Sequence, residues 1–482
     1  MKKRFLGSII AAGLAVTACS SGEASSQSGS STSAAASGTT AAAASPAASG
    51  SADSGVEPFG AGGSLTTPIS PTDHDRYISV VEGADGLVYA SGFTSIGEDH
   101  AFAVTRFADG AIDPTFGTGG TAVVNVAEGG GGAEVARGLV VQSDGKVLVA
   151  GPVEKDPAAE GDAAKEFDVA VIRLDTTGAP DATFGEGGIT RIDLGPGRAV
   201  NAETYLTDNA WGLTARDGGY AVFATTPNQG ADRTDADYAV VGLTDAGAVD
   251  TAFGTEGKVV VDLDASGDSA RNIGTQSDGK ILATGYSRDG DGVVSPVLIR
   301  MSPAGVLDET FGTGGVANHI VLPGVTESYQ WVSQGENYVL AGYGRGASSD
   351  EKVDLVAYRF LADGSWDQTF GTAGVTRIDL AGQDDRGRNL TVLPNGNILA
   401  VGSGKLDAEN LDAMVVQLDA DGAPVETFGD GGHLLVDLGG PGDAFFGVTL
   451  TADESAAILA GFRGADPDGA ENDDAVLALL PL

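Results

Sequence analysis

Asp113-Pro-Thr-Phe-Gly-Thr-Gly-Gly120 is the stretch on which the fold turns, because its first five residues keep returning. Asp-x-Thr-Phe-Gly stands again at Asp181 to Gly185, Asp308 to Gly312 and Asp367 to Gly371, with variants at Asp250 to Gly254 and Val425 to Gly429. A bare Phe59-Gly60 precedes them. The phenylalanines fall at 59, 116, 184, 253, 311, 370 and 428, so seven units of 57 to 69 residues follow one another. A fixed period of that size marks a repeat architecture, in which one supersecondary unit packs on its neighbours.

Each unit carries four strand-like segments. In the second they are Thr121 to Val126, Arg137 to Gln142, Lys146 to Gly151 and Phe167 to Leu174. Ser143-Asp144-Gly145 separates two of them and recurs as Ser277-Asp278-Gly279 and Pro394-Asn395-Gly396. Asp-Gly and Asn-Gly supply the positive φ that a tight hairpin needs. The segments are short, β-branched and alternate in polarity, and no helical period persists. Seven four-stranded antiparallel units predict an all-β, seven-bladed β-propeller.

The Gln-Ser-Asp-Gly-Lys-Val-Leu-Val-Ala-Gly run at 142–151, the Val-Ile-Arg-Leu-Asp run at 171–175 and the Asp-x-Thr-Phe-Gly-x-x-Gly tags resemble the delta-60 repeat family of bacterial propellers. The resemblance spans 59–482; it implies the fold, and no common activity comes with it. Strand order is also loosely similar to NHL-type repeats. In that phase the segment after each tag is outermost and Arg137 to Gln142 innermost. The chain then opens with a lone outer strand near Ser64 to Ile69 and ends with inner, second and third strands at Gly447 to Thr451, Ala456 to Gly461 and Ala475 to Leu480. The first strand is expected to complete the last blade and remove the exposed sheet edges.

The N-terminus reads as a targeting segment. Lys2, Lys3 and Arg4 precede a short apolar run, Phe5 to Val16, too short for a typical spanning helix. Val16-Thr17-Ala18-Cys19 resembles a bacterial lipobox, so 1–18 is expected to be a signal peptide and Cys19 the lipidated first mature residue. An ordinary signal peptide is the plainer alternative. Cys19 is the single Cys, which leaves no disulfide framework and no thiol catalysis. Residues 19–56 are mostly Ser, Ala, Gly and Thr and read as a disordered tether of about 30–35 Å r.m.s. span. The remainder, 57–482, is the propeller. An extracytoplasmic protein, anchored through lipid to the cell membrane or outer membrane, is expected.

Charge narrows the partners. The chain has 27 Lys plus Arg against 67 Asp plus Glu, a formal −40; losing three n-region cations leaves 24 against 67, or −43. Such a surface repels phosphate backbones and argues against nucleic acid. The 74 glycines and only 18 prolines suit many strands joined by tight turns.

The tags read as structure, since a catalytic group is needed once and a corner in every blade. Asp is expected to accept backbone N–H groups in a turn, Phe to pack between blades, and Gly to take backbone forms closed to other residues. Asp289-Gly-Asp291-Gly, Asp419-Ala-Asp421-Gly and Asp466-Pro-Asp468-Gly lack the ligand pattern of a calcium loop and read as turns. The histidines at 74, 100, 319 and 433 occupy different phases, and no spaced His or Cys set, nucleophile elbow or phosphate loop is present. No cofactor, metal or catalytic residue is expected, although paired carboxylates among 67 acids leave glycosidase chemistry open.

One recurrence points to a site. Arg76, Arg137, Arg271 and Arg388 stand at or just before an inner strand, each three residues after an acid: Asp73, Glu134, Asp268 and Asp385. Trp211, Ser328 to Gln330 and Phe446 occupy the corresponding region elsewhere. The plainer expectation is a ladder of Arg–carboxylate pairs tying blades together. The sharper one is a binding mouth of Arg76, Arg137, Trp211, Arg271 and Arg388 for an anion or glycan. Three insertions, at about 152–166, 195–210 and 226–237, are expected on the face that carries this mouth, where long loops on a rigid scaffold concentrate binding. The expected function is a monomeric, non-enzymatic, envelope-anchored scaffold binding a protein or glycan. The rivals are a glycan-active or quinoprotein-like enzyme at the same mouth, and a surface protein with no ligand.

Overall fold

The computed structural model describes residues 57–58, 69, 74–201, 204–230, 233–263, 267–405, 411–464 and 473–482. The expected signal peptide, Cys19, the tether, Phe59-Gly60, most of Ser64 to Ile69, Asp73 and the Asp466-Pro-Asp468 loop lie outside them.

All the described regular structure is β, apart from a single 3₁₀ turn at Ala163–Lys165. Strands gather in antiparallel fours, as the second unit shows: Ile189–Ile192, Phe167–Leu174, Val147–Glu154 and Gly138–Val141 pair in that order from one edge to the other. The same order holds from Lys258–Val261 to Asn209–Arg216 and from His433–Val436 to Arg386–Val392. Two further fours merge into a larger sheet, because the short strand Val325–Thr326 pairs in parallel at Val294 and antiparallel with Gly344 and Arg345. Each inner strand packs on the inner strand of the next four, and Ala444–Leu450 packs on Asp75–Glu82.

The predicted strands of the last unit are present as Ala444–Leu450, Ala456–Arg463 and Asp474–Pro481. The segment near Ser64 to Ile69 expected as their fourth partner lies, Ile69 apart, outside the described residues, and one described strand pairs with Asp474–Pro481 on its free side. It is Glu57–Pro58, with Glu57 opposite Leu479 and Pro58 opposite Ala478. Pro at a sheet edge fits its missing N–H, whereas the phase of the repeat had pointed to the later segment.

The core lies between adjacent sheets. Phe116 of the first tag is fully buried among Tyr89 and Phe102 of one four and Val147 and Ile172 of the next. Phe184 sits likewise among Leu148, Val169, Leu213 and Val222. The tags therefore fasten neighbouring units. Asp113 accepts the backbone N–H and hydroxyl of Thr115, forming the expected turn. Gly117 follows at φ +57, where an added Cβ would lie 2.1 Å from the Thr121 carbonyl oxygen, so no side chain fits.

The sequence analysis missed the third member of each corner. Arg106, from the third strand, donates to Asp113 and Thr115 and covers the Phe116 ring at 4.7 Å; its Nη1 reaches the Thr176 carbonyl of the next unit at 2.6 Å. Arg173, Arg300 and Arg359 repeat this with Asp181, Asp308 and Asp367, and reach the carbonyls of Asp245, Ala362 and Ala420. In the variant tag Arg216, from a different strand, pairs with Asp250.

Candidate functional site

A β-bulge opens near the start of the inner strands. Pairing skips one residue between Tyr77 and Ser79, Ala210 and Gly212, Ala270 and Asn272, Gly387 and Asn389, and Phe445 and Gly447. The extra residues are Ile78, Trp211, Arg271, Arg388 and Phe446. Arg137 and Tyr329 hold the same place, each N–H bonded to the carbonyl that also faces the next residue, Ala150 and Ala341. A bulge re-aims the side chain it carries. It also needs a partner without Cβ. A Cβ on Gly92, Gly151, Gly285, Gly342, Gly402 or Gly461 would come within 1.8–2.1 Å of the carbonyl oxygen two residues before the bulge. That is why Gly recurs late in the second strand.

The bulged side chains meet one another. Arg137 and Arg271 each stack on Trp211 with Cζ 4.0 Å from its centroid. Arg271 and Arg388 cover Tyr329 at 4.8 and 4.7 Å, and Arg388 lies 5.2 Å from the Phe446 ring. Guanidinium and aromatic ring thus alternate along Arg137, Trp211, Arg271, Tyr329, Arg388 and Phe446. Such contacts offset part of the cost of desolvating a cation. Phe446 stacks in turn on Phe462.

Arg76 is not part of this row. It lies two residues before the bulged Ile78, ion-paired with Asp473 and stacked on Phe462 at 4.0 Å. Arg386, which the sequence analysis passed over, has the same register in its own unit and covers Tyr343 at 5.0 Å. Four of the five predicted mouth residues are brought together, and Tyr329 and Phe446 join them.

The expected Arg–carboxylate ladder is not what the acids make. The acid three residues before the bulge caps the incoming chain instead. Glu134 accepts the N–H groups of Val126 and Ala127. Asp208 accepts that of Leu194, Asp385 those of Leu380 and Lys405, and Asp443 those of Leu438 and Gly464. Asp75, not Asp73, plays this part for Ile69, and Thr326 substitutes in the fifth unit by accepting from Leu322. Burial outweighs these donors and raises Glu134, Asp208 and Asp385 to about 7 and Asp443 to about 6; it also raises Asp268, which caps no N–H among the described residues, to about 8.

The arginines are left short of counter-charge. Arg137 donates to Asn209 Oδ1 and the Ala210 carbonyl, while burial and then the like charge of Arg271 push it down to about 9, still protonated at neutral pH. Arg271 bonds Ser269 Oγ, the Ala270 carbonyl and Tyr286 Oη, with Glu327 at 4.0 Å. Arg388 makes no hydrogen bond or ion pair among the described residues. Nε of all three is buried without an acceptor.

The three insertions interlock. Arg198 donates to the carbonyls of Gly230 and Arg233, Gln229 donates to the Pro196 carbonyl, and Tyr205 Oη bonds Glu166 at 3.1 Å. They stand at the strand ends that carry the bulges, since Asn209 is opposite Thr225, three residues before the 228–235 turn.

Elsewhere acids gather within 4.8 Å of one another, as at Asp168, Asp193 and Asp208 or Asp354, Asp379 and Asp385. Arg191 and Lys155 enter the first group and Arg377 the second, so the chain supplies cations of its own. Asp289 and Asp419 each accept two N–H groups of their own turn, as turn residues do.

A family profile described as "Domain of unknown function (DUF5122) beta-propeller" matches residues 142–184 and 276–311. The fold is a β-propeller. No curated protein matches the sequence. Among solved structures, Chaetomium thermophilum Sqt1 bound to the N-terminus of ribosomal protein L10 is similar with 11% identity and a TM-score of 0.41, over 86% of this chain and 100% of that one. Trypanosoma rangeli sialidase in complex with 2,3-difluorosialic acid gives 11% and 0.42, over 86% of this chain and 57% of the other.

Proposed function

We propose that the chain is an envelope-anchored, non-enzymatic scaffold of seven blades, closed by its N-terminal strand, that binds a protein or glycan partner through the face bearing the three insertions. Lipid on Cys19 and a tether over 19–56 would hold the propeller away from the membrane. The observation that carries this reading is the coincidence of two features at one end of the strands. Interlocked long loops and a row of arginines short of counter-charge have no common structural cause, whereas a binding face explains both.

Cross-linking capture from native envelope tests it, with the full protein beside a version in which 197–206 and 229–234 are replaced by short linkers. That replacement keeps the Asp208 cap and the strand from Asn209. A partner captured by the first and lost by the second is the expected result. A partner retained by both puts recognition elsewhere and overturns the reading.

A further inference from the structure

Within the binding face just proposed, and resting on that reading, the row of bulged side chains has a chemistry of its own. The aromatic rings are already engaged by guanidinium groups. Arg137 and Arg271 both lie against Trp211, each with Cζ 4.0 Å from its centroid. Arg271 and Arg388 lie in the same way against Tyr329. What the row offers is the edges of three guanidinium forks, held apart by rings that keep their planes fixed.

Those edges are incomplete. Nε of Arg137, Arg271 and Arg388 is buried without an acceptor, and Arg388 has no hydrogen-bond partner at all among the described residues. Leaving buried donors and charges unmatched costs stability. In a chain with 67 acidic against 27 basic side chains, a counter-ion from within would be easy to provide. Among the described residues only Glu327 approaches, at 4.0 Å from Arg271, which leaves Arg137 and Arg388 without an acidic neighbour there. Planar N–H forks match oxyanions, and phosphate above all when several converge. Tyr286 and Tyr329 add hydroxyls beside the same groups.

We infer that Arg137, Arg271 and Arg388, spaced by Trp211 and Tyr329, form a site for an oxyanion of the phosphate type. The phosphate can be free or terminal, or part of a phosphodiester chain, and the guanidinium edges recognise its oxygens in either case.

The test titrates the full protein with inorganic phosphate and separately with dimethyl phosphate. Ionic strength is held constant with chloride, and binding is read by calorimetry and by tryptophan fluorescence, to which Trp211 contributes. Saturable binding of inorganic phosphate, weakened at least tenfold in both Arg388→Gln and Arg388→Lys, is expected. Both variants should melt cooperatively, since Arg388 makes no hydrogen bond whose partner would be stranded. Dimethyl phosphate binding as well would assign the site to a chain, and its failure to bind would assign it to a free or terminal group. No saturation by either probe, or affinity unchanged in the folded variants, overturns the inference. Its fate is separable from that of the wider reading: partner capture intact without phosphate binding sinks only the oxyanion site, whereas phosphate binding with capture independent of the loops sinks only the proposed face.

Discussion

The corner arginines show how one side chain can join two units. Arg106 closes its own turn through Asp113 and Thr115, covers a buried ring, and ends on a carbonyl of the following unit. Its side chain is only 8% exposed, so the ion pair is shielded from solvent. Replacing Arg106 with Met should cost about 3 kcal/mol, because Asp113 is then left partly buried without its cation. Chemical denaturation at pH 7 checks this, and a loss below about 1 kcal/mol would reduce the corner to an exposed pair. The turn role of Asp and the packing of Phe were legible from the tags alone. The arginine was not, because it belongs to another run, Val-Ile-Arg-Leu-Asp, and only folding brings the two together.

The bulge and its cap form the next unit of organisation, and here the sequence misled in an instructive way. Asp73-x-x-Arg76 and Asp75-x-x-Ile78 both satisfy an acid three residues ahead, so charge alone could not choose the phase. The second-strand glycine could. Gly151 and Gly285 lie fourteen residues after Arg137 and Arg271, and fourteen before Gly92 falls Ile78. Four of the acids proved to be caps, and these together with the buried Asp268 have raised pKa, which sets an unusual pH dependence. In the folded protein Glu134, Asp208, Asp268, Asp385 and Asp443 titrate at about 6 to 8, against about 4 when unfolded. Between those limits the folded state binds more protons, so stability should fall as pH rises. The corner acids Asp181 and Asp308 are held far below the ordinary range and lend a constant term above pH 5. The melting temperature should therefore drop from pH 5 to pH 8, with a shallower slope in Asp385→Asn. A melting temperature that rises over this interval would contradict the assignment.

Taken together, the repeats form a chain of sheet-to-sheet contacts whose ends meet. Arg76 pairs with Asp473, Asp75 N–H donates to the Asp473 carbonyl, and Glu57 lies opposite Leu479. Removing 474–482 takes away the strand to which Glu57–Pro58 pairs and strips cover from Tyr77 and Ala460. Cooperative unfolding should be lost, and a truncated protein that melts like the full chain would count against closure by the N-terminal strand. The strand order within a unit was readable in advance because every unit spells it out. The edge strand Glu57–Pro58 was not, since two residues at an edge carry almost no pattern. The bulge has a further consequence, one of inheritance. Its glycine and its cap are supplied largely by the repeat that owns it, while the residue it displays differs from one repeat to the next: Ile78, Arg137, Trp211, Arg271, Tyr329, Arg388, Phe446. A lineage that duplicates or shuffles whole repeats therefore rewrites a seven-letter word without disturbing the grammar that holds each letter in place.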